Sequence, residues 1–556
     1  MKFSCPQTIA LSIVFSCLTN FSIAAQTAPP APQPETQTHP GKVIFSRTTD
    51  ENGQSTTQTA PAAAPPIAEG ESAPAQAAER QAVTFTSFGL DVHLRPAEQQ
   101  IAVRALLTLR NDGKSPLTRI PLQISSSLHW ERIRIDNHDA HFQVATLNSD
   151  ADHTGQLQEA VLSLAQPLPP GQSLQLDVDY SGQIALTARR LTAIGAPDEA
   201  AQRSDWDQIS LSFTGLRGFG NVVWYPVSSA PVLLGDGARL FDAIGEDKLR
   251  LTGARFRLRL TVEFPHSQAP TVAVVNGRSV PLTITEPGAT LDQSQEVSGV
   301  ATADSGSTTL GFEAPSLFVA IRNPHPGANL TAWTLPEDDL PVQFWTTASA
   351  AVTSFLQGWL GQQPRSQLTL LDLPGPQDAA FETGSLLAAP LREPPPNSSP
   401  EALNGVLVHA LTHAWISSTS PSSQPPPAWL NEGVATLLGS LWVEKKQGRE
   451  AALGTLEANR SALALAEPAS PGQSPGQPLA QAISPVYYRT KAAYVLWMLR
   501  DLAGDAALSA ALRAYDPANG KSFEQLLEAA SRPDLAWFFA DWVDADKGLP
   551  DLSIDG

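Results

Sequence analysis

The sequence predicts a chain of two folded parts: a large antiparallel β domain over residues 81–325, then an α+β domain over residues 340–550. Three observations predict it. From Gln81 to about Asn323 apolar residues alternate with polar ones at period two. Beyond Pro341 the apolar spacing becomes helical. On one of those helices two histidines stand four residues apart, and a glutamate follows on the next helix.

The opening residues read as a targeting segment. Lys2 precedes an apolar run from Ile9 to Leu18, and Ser22-Ile23-Ala24-Ala25-Gln26 offers the small residues of a cleavage site. Loss of a signal peptide over residues 1–25 and export, periplasmic or secreted, are the expectations. Val14-Phe15-Ser16-Cys17 makes a poor lipoprotein box because Phe15 is bulky and apolar residues continue past Cys17, so ordinary cleavage is preferred. Both cysteines, Cys5 and Cys17, fall in this segment. The mature chain is therefore expected to have no disulfide and no thiolate ligand, and any metal must rest on His, Asp and Glu.

Residues 26–80 are rich in Pro, Ala, Gln, Thr and Ser, a composition that cannot bury enough apolar surface to offset its ordering entropy. A disordered linker is expected there. The rest is long enough for two or three domains with substantial cores. No later apolar run is long enough to cross a bilayer, so no transmembrane segment is expected after the signal peptide. The net charge of -19 argues against nucleic acid and anionic membrane surfaces as partners.

Within the β part, Leu90, Val92 and Leu94 alternate with polar residues, as do Ile101 to Leu109, Leu174 to Tyr180, and Phe256 to Phe264. Asn111-Asp112-Gly113 and Asn276-Gly277 punctuate these runs as turns. Such a domain alone would equally suit an adhesion or carbohydrate-binding sandwich. In the second part, Ala348 to Leu360 reads as a helix ending at Gly361, and Leu368 to Leu373 as a buried strand. Ser399 is a plausible N-cap with Pro400 first in the helix, and Leu403, Val406, Leu407, Ala410 and Ala414 recur at helical spacing until the run Ser417 to Pro426. A second helix opens at Pro427, with Leu430, Val434, Leu437, Leu438 and Leu441 as its buried stripe. Further helices are expected around Ala506 to Tyr515, Phe523 to Ala530 and Leu535 to Val543.

His409 and His413 share one face of the first of these two helices and can close on a single Zn2+, for which Glu432 can supply a third ligand. The H-E-x-x-H peptidase motif would place a glutamate, the general base, directly after the first histidine. Here that residue is Ala410. In a chain with ten histidines the pair alone is a weak signal, and two satisfied core histidines are the bland alternative.

The third ligand strengthens the pattern. Eighteen residues separate His413 from Glu432, which lies in Trp429-Leu430-Asn431-Glu432-Gly433-Val434-Ala435. This resembles the gluzincin zinc aminopeptidases, the family of membrane alanyl aminopeptidase and leukotriene A4 hydrolase, except at Ala410. The order of Asp179-Tyr180-Ser181-Gly182, Trp224-Tyr225-Pro226, Phe256 to Phe264 and Ala273-Val274-Val275-Asn276-Gly277 is similar to that family as well. The resemblance implies an amino-terminal β-saddle or sandwich, a thermolysin-like metallopeptidase domain, zinc as cofactor and a peptide or protein ligand. It also implies roles for residues outside the metal set. Ala379-Ala380-Phe381-Glu382-Thr383 stands where the family carries G-A-M-E-N, which gives Glu382 the part of binding the substrate's amino group. A further family carboxylate is not evident in Phe213-Thr214-Gly215-Leu216-Arg217-Gly218. The stretch Val486 to Arg500 resembles the Y-E-K-G-A helix, whose tyrosine donates to the oxyanion; Arg489 falls on that position and Tyr488 one residue before it. Tyr487 and Tyr488 are otherwise amphipathic core residues.

Ala410 can neither accept a proton nor orient a water, and loss of a general base typically costs about 10²–10⁴ in rate. The expectation is a protein that keeps zinc with weak or no peptide hydrolysis. Two alternatives stand beside it: an active zinc peptidase whose base is Glu382, and a β-rich surface or interaction protein without metal.

Overall fold

A computed structural model of the chain describes residues 45–49, 55–59, 75–237, 239–265, 268–286, 298–392, 400–416, 425–466 and 476–546. The expected signal peptide lies outside them. The chain divides into two units, Met1–Glu71 and Ser72–Gly556. In the first, Phe45–Thr49 and Ser55–Thr59 pair as an antiparallel hairpin within the stretch read as a linker. The second opens on a helix, Ala77–Ala82, which carries Arg80 into a buried two-pronged ion pair with Glu159 (2.6 and 2.8 Å). The first helix of the second unit thus begins slightly before residue 81.

The large sheet of the β part runs in the order Thr283–Thr285, Gly299–Asp304, Arg255–Phe264, Val83–Arg95, Gln100–Asn111, Ser173–Gln183, Leu128–Ile135 and His138–Asp139, with Thr308–Thr309 also on Arg255–Phe264. Period two explains its two faces. Leu90, Val92, Leu94, Ile101, Val103, Leu107, Leu258 and Leu260 all point into the core. The opposite face carries a cross-strand lattice of charges: Arg257 with Asp304, Arg259 with Asp91, Arg104 and Arg134 with Asp177, and Arg132 with Asp179. Such exposed pairs contribute about 0–1 kcal/mol each, so they mark the wet face more than they stabilise it.

The sheet departs from the expected antiparallel pattern at one place. Arg255–Phe264 runs parallel to Val83–Arg95, because the long connection after Gln183, which includes the helix Arg239–Leu251, returns the chain to the sheet beside its first strand and in the same direction. Trp224 and Tyr225, fully buried, lie outside any strand. Hydrogen bonds hold them: the Tyr180 hydroxyl donates to the Trp224 carbonyl (3.0 Å), and the Trp224 indole donates to the Pro315 carbonyl (3.1 Å).

The second part is built on a five-stranded mixed sheet ordered Asn323–Gly327, Leu330–Thr334, Leu368–Asp372, Leu386–Ala389, Phe381–Thr383. Leu368–Asp372 is buried at every position, as expected of a central strand covered on both faces. Leu368 and Leu370 join the core formed with helices Gln343–Leu360, Pro400–Ile416 and Ala428–Gln447. Leu371, Leu373, Leu386 and Ala388 instead pack with Trp206, Phe213, Val272 and Phe318 of the β part. The small sheet is therefore clamped between the two parts, and Phe381–Thr383 is its edge strand. The helices expected near the carboxyl end occur as Asp505–Ala514, Phe523–Ala530 and Ala536–Trp542. Among the described residues no helix is long and apolar enough to cross a membrane.

One buried acid makes stability depend on pH. Asp247, on the helix Arg239–Leu251, is buried with Oδ2 lacking a hydrogen-bond partner, and burial pushes its carboxyl from 3.8 up to about 7. The folded protein holds this proton more tightly than the unfolded chain does. Stability from this group is thus present at low pH and declines as pH rises from 3.8 towards about 7. Asp247→Asn is expected to remove that decline. Thermal midpoints at about pH 5 and about pH 8 check it: the advantage of the variant over wild type grows with pH, and an equal difference at both pH values contradicts the assignment.

Candidate metal centre

Pro400–Ile416 buries Leu407, Val408, Ala410, Leu411 and Ala414 in the core, so its remaining face carries His409 and His413. Their rings lie 5.0 Å apart between centroids, at 75°. Ala428–Gln447 begins one residue later than expected, with Pro427 as N-cap, and sets Glu432 in its first turns. The structure brings all three predicted ligands together. Glu432 Oε2 is 3.6 Å from His409 Nε2, and Glu432 Oε1 is 3.9 Å from His413 Nε2.

A second carboxylate meets the same two nitrogens. Glu382 Oε2 lies 3.5 Å from His409 Nε2, and its Oε1 lies 3.9 Å from His413 Nε2. Glu382, His409 and His413 offer ligand atoms that are all within 4.8 Å of one another. His409 Nε2 and Glu382 Oε1 are both buried and have no hydrogen-bond partner. Orphaned polar atoms in a buried place are costly unless something fills the space beside them. Zinc bonds to nitrogen and oxygen of about 2.0–2.2 Å in a tetrahedron separate neighbouring donors by about 3.3–3.5 Å, close to the spacing here. The donor set fits a zinc ion.

The surroundings orient these donors. His413 Nδ1 sits 3.0 Å from Asn431 Oδ1, an acceptor that calls for a proton on Nδ1 and leaves the Nε2 lone pair facing the carboxylates. Arg489 directs Nε and Nη2 onto Glu432 Oε2 at 2.9 and 2.7 Å. Burial would raise the Glu432 carboxyl, but Arg489 and the two imidazoles hold it well below the usual carboxylate range. Burial likewise would lower His413, yet Glu432, Glu382 and the Asn431 contact raise it. Arg489 reaches Glu432 because Val486–Lys491 forms a π-helical turn, anchored by the buried pair of Lys491 and Asp546 (2.7 Å).

That turn separates the two residues considered for the oxyanion role. Arg489 takes the glutamate, while Tyr488 packs edge-on against Phe312 with ring centroids 5.0 Å apart. Burial, then the charge of Glu432, pushes the Tyr488 hydroxyl above its ordinary range, so it stays protonated. Ala410 is fully buried, and its methyl group gives the site no proton acceptor.

Glu382 lies on the edge strand Phe381–Thr383, where a tight hairpin presents it. Two contacts fix that hairpin. On one side is the turn Asn276-Gly277: the Gly277 carbonyl accepts from Ser385 N (3.1 Å), and a Cβ at Gly277, whose φ is +70°, would lie 2.1 Å from the Thr383 carbonyl oxygen. On the other side the Glu313 carboxylate accepts from Thr383 Oγ1 (2.5 Å) and Gly384 N (3.1 Å). Sequence reading missed Glu313, which sits in a connection with no motif around it. The stretch Phe213–Gly218, searched for a carboxylate, supplies Arg217 instead, paired with Asp207 at 2.6 Å. A cleft of about 430 Å³, within the size range of ligand sites, is lined by Asn276, Arg278, Phe312, Glu313, Gly384 and Asn431 among others and meets the site through Asn431, the partner of His413, rather than through the histidines themselves.

No protein-family model matches the chain, and no curated protein matches it. Solved structures do resemble it. An M1 zinc metallopeptidase from Deinococcus radiodurans is 18% identical over 85% of this chain and 95% of that chain, with a TM-score of 0.48. A glutamate-to-alanine variant of the M1 zinc metallopeptidase from the same organism gives 18%, 85%, 96% and 0.47 in the same order. Its complex with a Tyr-Ser-Ala substrate gives 19%, 81%, 94% and 0.45.

Glu313→Ala is expected to loosen the hairpin that presents Glu382. Loss of its hydrogen bonds to Thr383 and Gly384 should cost about 1.5–3 kcal/mol in chemical denaturation, with faster amide exchange over residues 381–385. Unchanged exchange there would contradict the anchoring role.

Proposed function

We propose that the protein is an exported, metallopeptidase-like zinc protein that binds a peptide or protein segment and hydrolyses it weakly or not at all. His409, His413 and Glu432 would hold the ion. The observation that carries this reading is the approach of the Glu432 carboxylate to both imidazoles, 3.6 Å from His409 Nε2 and 3.9 Å from His413 Nε2, while the residue after His409, Ala410, is a buried methyl. A zinc ion in such a site polarises a carbonyl and acidifies a bound water. The chain's own residues supply the remainder. Asn431 fixes the tautomer of His413, and Arg489 holds Glu432 ionised and oriented. Ala410 offers no atom to take a proton from water or return one to a leaving amine. The adjoining cleft, with Arg278 and Glu313 in its wall, supplies space for a peptide. Export rests on the leader-like opening residues.

A second reading has one observation in its favour. The Glu382 carboxylate stands 3.5 Å from His409 Nε2 through Oε2 and 3.9 Å from His413 Nε2 through the unpartnered Oε1, and would serve as the base of an active peptidase. Hydrolysis of an aminoacyl-anilide and internally quenched peptide panel separates the two. Wild type is expected to run about 10²–10⁴ below Ala410→Glu, with both proteins folded and zinc-loaded. Wild-type turnover that equals the variant and disappears in Glu382→Gln would replace the first reading with the second. Absence of zinc from both proteins would favour a β-rich interaction protein instead.

A further inference from the structure

We propose that the cleft beside Asn431 is a receptor for a peptide carboxylate, held by the side-chain amides of Asn276 and Asn431 and by the guanidinium of Arg278. The inference rests on the peptide-binding reading above and deepens it by naming the group that the cleft selects. All three residues line one cleft of about 430 Å³. Its two amides come from different parts of the fold. Asn276 stands in the turn between the strands Val272–Val275 and Arg278–Val280, whereas Asn431 lies in the first turn of the helix Ala428–Gln447.

An amide side chain offers an acceptor oxygen and two N–H donors, so the contact made by the oxygen decides where the donors are left. The Ser316 backbone N–H donates to Asn276 Oδ1 (2.9 Å), a contact that only an acceptor can receive and that therefore fixes which end of the amide is nitrogen. Asn431 Oδ1 is taken in the same way by His413 Nδ1 (3.0 Å). Among the described residues neither Nδ2 makes a hydrogen bond. The acceptors of the wall are engaged within the protein as well. Glu313 accepts from Thr383 Oγ1 and Gly384 N, and the hydroxyls of Ser366 and Ser385 meet each other at 2.5 Å. Two oriented amide donors therefore remain for a ligand, with the positive charge of Arg278 in the same wall.

Such a wall calls for an anionic group rich in acceptors, because hydrogen bonds to an ionised partner are the strong ones. A carboxylate meets that demand, and a peptide carries one at its end or on an acidic side chain. Asn431 belongs both to the cleft and to the contact with His413, so a carboxylate bound there anchors the peptide next to the metal centre.

Calorimetric titration of the full-length, zinc-loaded protein tests this with three peptides: tetra-alanine with a free carboxyl end, its carboxyl-terminal amide, and an amidated tetrapeptide in which one alanine is replaced by glutamate. At least one of the two carboxylate peptides is expected to bind about tenfold or more tighter than the neutral amide, the scale of a hydrogen bond to a charged group. Which of the two it is identifies the source as the chain end or the side chain. Asn276→Asp keeps the acceptor for Ser316 N, suits the φ of +47° and replaces the amide nitrogen by a charged oxygen. It is expected to abolish the preference, as is Arg278→Gln, with zinc content and circular dichroism unchanged in both. Equal binding of the three peptides by wild type, or a preference that survives both substitutions, would overturn the carboxylate receptor and leave the zinc site standing. Zinc-loaded protein that binds none of the peptides would overturn the peptide reading and the receptor together. A wild type that takes up no zinc yet keeps the preference would overturn the metal reading alone.

Discussion

Two carboxylates that each come within 4 Å of the same two imidazoles constitute an electrostatic problem that the protein has to solve. Carboxylates in a partly buried site repel each other, and an imidazole nitrogen without a partner adds desolvation cost. Arg489 answers part of this by taking Glu432 Oε2. Among the described residues nothing answers it for Glu382 Oε1 and His409 Nε2, which are left without a hydrogen bond. A divalent cation beside the imidazoles would resolve the imbalance, and the surrounding architecture is a frame that keeps these side chains in place.

That frame has unlike sources. The imidazoles come from a helix whose other face is packed into the core, so their separation is fixed by helical geometry. Glu382 comes from the edge of a sheet clamped between helices on one face and the β part on the other, and its hairpin rests on Gly277 and Glu313. The β part therefore contributes directly to the site, since both Gly277 and Glu313 belong to residues before the small sheet. Arg489 depends on one π-helical turn held by a buried Lys491–Asp546 pair. The same frame leaves the space next to His409 to the methyl of Ala410.

Much of this was legible in the sequence because it is local. The i, i+4 spacing of His409 and His413, the apolar stripe opposite them, and Glu432 early in the following helix are all statements about one or two turns. The inward faces of the long strands obey period two and could be read in the same way. What escaped detection is non-local. Arg255–Phe264 pairs in parallel with a strand some 170 residues earlier, a register that alternation cannot specify. Glu313 reaches Gly384 across 71 residues of chain, and Arg489 reaches Glu432 across 57. The π-helical turn was equally invisible, since nothing in the residues of Val486 to Arg500 marks where i→i+5 hydrogen bonding replaces i→i+4. Glu382 was readable as an acid at a strand end, but its approach to both imidazoles was not.

The most direct test of the account is anomalous scattering at the zinc edge from crystals of protein purified without chelator. The account predicts a single strong peak bonded at about 2.0–2.2 Å to His409 Nε2, His413 Nε2 and an oxygen of Glu432. A map with no peak among these residues, from protein that crystallises folded and was offered zinc, would contradict it.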